Sequence, residues 1–173
     1  LDLALMGADL PPHLLEVEGS VPKAYHRFCR ELLNELKGTV CAVRVSFTAF
    51  AIMGPEGLEG LQAVLKAAKD LGYYVVLEAP YILSPMMASA VADAVFGQDA
   101  LYPCDGLIVP GYLGSDVIKP FLPYCKKEKK DLFVIARTAN KSAPELQDLL
   151  AGGRLVHAAA ADHVNRYGSD KPD

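Results

Sequence analysis

Short apolar runs alternate along this chain with longer segments in which apolar residues recur every three or four positions. The runs at 1–6, 40–45, 73–77, 107–109 and 132–136 read as β-strands. Between them, 25–36 carries Phe28, Leu32, Leu33 and Leu36 on one helical stripe and stops at Gly38. The segment 54–71 repeats the pattern with Leu58, Leu61, Leu65 and Ala68 and stops at Gly72. Ser84 is placed to cap a helix over 86–96, with Pro85 suited to its first turn. Gly114-Ser115-Asp116 leads into a helix that has Pro120 near its start, and its backbone N–H groups are a candidate anion cradle. Ser142 and Pro144 open a final helical region, which Gly152-Gly153 interrupts and 155–167 resumes.

Strands alternating with helices of this length form βαβ units and a parallel sheet. Five such units fit either the first part of a TM-type (β/α)8 barrel or an open doubly wound sheet, and the pattern leaves both possible. The expected organisation is one domain over 1–173. In both folds a ligand sits outside the carboxyl ends of the strands, so the residues to inspect are the same.

Those ends carry Asp9 after the first strand, Arg44 and Ser46 at the second, Glu78 at the third, and Arg137-Thr138-Ala139-Asn140 after the fifth. Arg44 and Glu78 are the candidate catalytic pair, able to form an ion pair across adjacent strands. Asp9, Thr138 and Asn140 are the candidate substrate-binding residues. The competing reading is a rim of charges that only meets solvent. No imidazole base is in view, because His13, His26, His157 and His163 all fall away from the strand ends. The run Val75-Val76-Leu77 climbs to Glu78, and then Pro80, Tyr81, Ile82 and Leu83 stand where an enzyme would place further charge.

The chain is 51% hydrophobic with a formal net charge of -4, which offers no basic field for nucleic acid. No apolar run reaches the ~20 residues of a membrane span. Cys29, Cys41, Cys104 and Cys125 lack metal-ligand spacing, so the expectation is four buried thiols in a reducing cytoplasm rather than disulfides or a zinc site.

Three stretches carry a resemblance: VCAVRVSFTAFAIMGPEG at 40–57, YLGSDVIKPFL at 112–122 and LFVIARTANKSAPELQDLL at 132–150. Together and in this order they resemble a bacterial branch of the orotidine 5'-phosphate decarboxylases. The resemblance implies a (β/α)8 barrel that removes the C6 carboxylate of orotidine monophosphate without cofactor or metal, usually as a dimer. It also implies that Asp9 matches the aspartate that binds ribose, and that Arg44 replaces a strand-two lysine. The family's Asp-x-Lys-x-x-Asp motif aligns with Glu78, Pro80 and Leu83, its pyrimidine-reading serine with Ala139 beside a retained Asn140, and a threonine with Met87. Proline cannot deliver a proton, and a guanidinium holds its own too tightly.

The expectation is therefore a divergent relative that lacks decarboxylation. It would bind a nucleotide or sugar-phosphate ligand, or serve as a subunit in a homodimer or beside a paralogue. The alternative is an active lyase of the same superfamily. The family's phosphate-gripping loops follow strands seven and eight, so a longer natural protein is also expected.

Overall fold

The computed structural model of the chain describes residues 1–4, 9–78 and 82–168. Its main sheet takes β1 (Asp2–Leu3), β2 (Ala42–Ser46), β3 (Tyr74–Glu78), β4 (Gly106–Pro110) and β5 (Asp131–Ile135). All four pairings are parallel, and the spatial order is the chain order, β1-β2-β3-β4-β5. A doubly wound sheet reverses direction at a switch point. This one never does, so the sheet is of the (β/α)8-barrel type.

Side chains alternate across each strand, and the register lines them up in rows. Leu3, Val45, Leu77 and Leu107 share one row and are buried to 1% exposure or less. They pack, with Val43, Val75 and Val109, against helices α2 (Val21–Glu35), α4 (Gly54–Asp70) and α5 (Pro85–Phe96), whose Leu33, Leu61, Leu65 and Ala92 are equally covered. The neighbouring rows, Asp2–Arg44–Val76–Gly106–Asp131 and Ser46–Glu78–Ile108–Phe133, point to the opposite, open face. There Phe133 keeps 47% of its surface exposed.

The helix over 54–71 and the cap at Ser84 stand where the sequence puts them, the Ser84 hydroxyl accepting from Met87 N–H at 3.3 Å with Pro85 in the first turn. Two short helices escape the apolar pattern: α1 (Pro12–Glu18), which has no side-chain cap, and α3 (Phe47–Ala51). Helix α2 also begins four residues before the expected start, at Val21, with a proline in its first turn.

The region after β5 differs most. Only a short 3₁₀ turn (Ala143–Glu145) forms there, followed by an antiparallel hairpin of β6 (Leu150–Ala151) and β7 (Arg154–Leu155), and then α7 (Val156–Gly168). Gly152 and Gly153 take φ of +60° and +79°, the left-handed pair a two-residue hairpin turn demands, so the dipeptide reverses the chain rather than interrupting a helix. The anion cradle fares no better: 115–117 is a three-residue 3₁₀ turn, and α6 (Leu122–Lys127) has only six residues.

Of the four thiols, Cys29 and Cys104 are buried and each is pushed up to about 12 by desolvation. Cys41, just before β2, is exposed and Cys125, on α6, is half-buried, so the expectation of four buried thiols holds for two. No group of three His, Cys, Asp or Glu able to hold a metal occurs among the described residues, and no helix among them is long and apolar enough to cross a membrane.

Candidate functional site

Arg44 occupies the middle of β2, two residues before the strand ends, and not its rim. Parallel register sets it beside Asp2 on one side and Val76 on the other. Its Nε donates to Asp2 Oδ1 at 3.1 Å, and a terminal guanidinium nitrogen donates to Asp2 Oδ2, a two-point fork. The ion pair expected between Arg44 and Glu78 is thus made with Asp2 instead. Geometry explains the change: Glu78 faces Ser46 and Ile108, one row further along, so Arg44 meets it only diagonally. The Arg44 guanidinium is held above its usual range first by the hydrogen bond to Asp2, with a smaller electrostatic push from Glu78.

Arg44, Val76, Ile108, Phe133 and Ile135 line a groove of about 370 Å³ on the open face, large enough for a small ligand. Gly106 is the register partner of Val76 on the same face. An added Cβ there would meet Phe133 Cε2 at 2.6 Å and Tyr74 Oη at 3.1 Å, so the missing side chain lets these two rings cross β4. The Tyr74 hydroxyl then reaches Asp131 Oδ2 from beyond the groove.

Ser46, at the end of β2, is spent on structure: its hydroxyl accepts from Ala49 N–H at 3.5 Å and starts α3. Asp9 is exposed beyond β1. Pro80, with Ala79 and Tyr81, lies outside the described residues. Leu83 and Met86, just after them, are 69% and 80% exposed.

The loop after β5 holds the richest polar geometry. Gln147 Oε1 accepts from Thr138 N–H at 2.8 Å, and Gln147 Nε2 donates to the Thr138 hydroxyl at 2.6 Å. That hydroxyl donates to Asn140 Oδ1, and Asn140 Nδ2 donates to the Ser142 hydroxyl at 2.8 Å. Next to this chain, Arg137 grips Asp148 with Nε to Oδ1 at 3.0 Å and a terminal nitrogen to Oδ2 at 2.9 Å. His157 Nδ1 approaches Asp148 Oδ1 at 3.1 Å from the start of α7. Asp148 is held below the ordinary carboxylate range, chiefly by the bond from Arg137.

The structure places four of the five expected residues in two clusters, one of which also holds Asp2. Asp2, Arg44 and Glu78 lie on the open face, and Thr138 and Asn140 lie on the β5 loop. Among the described residues no hydrogen bond or ion pair joins the clusters. Sequence reasoning missed Asp2, Gln147, Asp148 and His157. Each acts through a partner 9 to 42 residues away, a distance at which no local pattern speaks.

No family model matches the chain. A curated orotidine 5'-phosphate decarboxylase of Rhodopirellula baltica is 30% identical over 158 residues, 89% of this chain and 52% of that protein. A Toxoplasma gondii structure described as an orotidine-monophosphate-decarboxylase superposes with a TM-score of 0.81 at 26% identity, covering 99% of this chain and 57% of the other. Leishmania donovani UMP synthase superposes with a TM-score of 0.71 at 28% identity, over 82% of this chain and 30% of that one. The chain spans about half the length of the curated relatives it matches, 52% and 55% of the first two. Sequential parallel strands, similar sequences and superposable structures agree that the chain is similar to the orotidine 5'-phosphate decarboxylases.

Proposed function

We propose that this chain binds a nucleotide or sugar phosphate at the carboxyl ends of its strands and does not decarboxylate it, serving as a binding subunit in a homodimer or beside a paralogue. The observation that carries this reading is the state of Arg44. It stands where the resemblance implies an ammonium, and its guanidinium is already matched by Asp2. A guanidinium stays charged throughout the physiological range and is a poor proton donor to a forming carbanion. The sequence supports the same conclusion at Pro80, which has neither charge nor proton to give. In this role Thr138 and Asn140 contact the ligand, with Asp9 on its ribose. Glu78 is left as an acid whose neighbouring cation is already engaged.

The test is the loss of orotidine monophosphate absorbance in the presence of the purified protein, compared with a protein-free control. Matching rates are expected, and turnover above the control ends the proposal. A parallel thermal-shift series separates the alternative. Stabilisation by uridine monophosphate supports a nucleotide site. Stabilisation by ribose 5-phosphate alone favours a lyase acting on another phosphorylated sugar through Asp9, Arg44 and Glu78.

A further inference from the structure

The hydrogen bonds of the β5 loop start from one group that cannot reverse. The Thr138 backbone N–H is an obligatory donor, so the Gln147 atom 2.8 Å away must be the carbonyl oxygen. The Gln147 amide nitrogen is then the atom 2.6 Å from the Thr138 hydroxyl, which accepts from it; the 2.5 Å between that hydroxyl and Asn140 suits O–H···O and is short for N–H···O, so Thr138 sends its own hydrogen onward to Asn140. Asn140 receives that hydrogen on Oδ1 and turns Nδ2 towards Ser142, 2.8 Å away. Two hydrogens remain uncommitted at the exposed end: the second on Asn140 Nδ2 and the one on the Ser142 hydroxyl.

We propose that Gln147 is a positioning residue that makes the β5 loop a hydrogen-bond donor, selecting ligands that present an acceptor there, such as a 4-oxo pyrimidine, over those that present an amino group. Gln147 touches no ligand in this scheme. It transmits the polarity of a main-chain N–H through Thr138 to Asn140. The inference rests on the reading of Thr138 and Asn140 as ligand-binding residues.

Gln147→Glu keeps the shape and reverses the message. One carboxylate oxygen still accepts from Thr138 N–H, but the other also accepts, so the Thr138 hydroxyl turns back towards residue 147. Thr138 Oγ1 must now accept from Asn140, whose amide flips and offers its oxygen outward. The added charge weakens all phosphates alike, so the ratio of two affinities isolates the polarity.

Calorimetric titration with uridine monophosphate and cytidine monophosphate, which differ at the 4-oxo and 4-amino positions, reads that ratio. Wild type is expected to favour the uridine nucleotide by about fivefold or more, the worth of one hydrogen bond, and Gln147→Glu to lower the ratio at least about fivefold. Equal affinities in wild type, or an unchanged ratio in the variant with both nucleotides binding, overturns the role of Gln147. Binding of neither nucleotide by wild type sinks the nucleotide site itself, and this proposal with it.

Discussion

Asp2 and Arg44 face each other in one row of the sheet, joined by a two-point fork in which Arg44 Nε lies 3.1 Å from Asp2 Oδ1. The pair neutralises the only cationic side chain lining the open-face groove among the described residues. What looks in sequence like a poised positive group is a clasp between the first two strands.

Arg44→Lys converts the fork to a single point of contact and restores an ammonium to this position. Both side chains are about half exposed, so stability is expected to fall by no more than about 1 kcal/mol, read by urea unfolding. Orotidine monophosphate turnover is expected to stay at the uncatalysed rate. Activity appearing in this variant would mean that one ammonium suffices and that Pro80 is no obstacle.

Two glycines of α4 should respond oppositely to alanine. A Cβ on Gly57 would fall 2.1 Å from the Phe50 carbonyl oxygen and 2.7 Å from Met53 Cβ, so α3 and α4 can meet only if the side chain is missing. Gly57→Ala is expected to cost about 3 kcal/mol. On Gly60 the nearest atom is His26 Cβ at 3.7 Å, an ordinary contact, so Gly60→Ala should gain up to about 1 kcal/mol of helix propensity. Denaturation midpoints of the two variants decide the matter, and equal shifts would contradict it.

Asp105 serves the opposite end of the sheet. Its Oδ2 accepts from Val75 N–H at 2.9 Å, its Oδ1 pairs with Lys69, and Lys130 Nζ stands 4.0 Å from the same oxygen. Asp105→Ala strands the Val75 N–H and is expected to cost about 2 kcal/mol. Asp105→Asn keeps an acceptor for Val75 and should cost clearly less. Equal losses in calorimetry would assign the effect to the lysines instead.

The Arg137–Asp148 clasp carries a pH signature. Its folded-state carboxyl is held below the ordinary range, so the stability it contributes is complete above the unfolded pKa of about 3.9 and is lost as pH falls through the depressed folded value. The difference in melting temperature between wild type and Asp148→Asn should therefore be constant from neutral pH down to about 4, and vanish in stronger acid. A difference that disappears already near pH 6 would contradict a depressed Asp148 carboxyl.

Strands β2 to β5 were legible because their helix-facing rows must be apolar, and Val43, Val45, Val75, Leu77 and Leu107 announce it. Helix α4 was legible from its stripe and its terminal glycine. The hairpin at Gly152 was misread because two glycines break a helix and make a turn equally well, and only the pairing of Leu150 with Leu155 distinguishes them. At the candidate site, Arg44, Glu78, Thr138 and Asn140 were legible as polar residues near strand ends. Their partners were not. A pattern can put Arg44 on a strand, but whether it meets Glu78 or Asp2 depends on register between strands, which two residues of offset decide.

The order of the strands also bears on how the chain acquires its shape. Among the described residues the strands of the main sheet pair in chain order, so β2, β3, β4 and β5 each dock on the strand just before them. Docking of these strands can follow the order of synthesis, each new βα unit pairing with the edge left by the last.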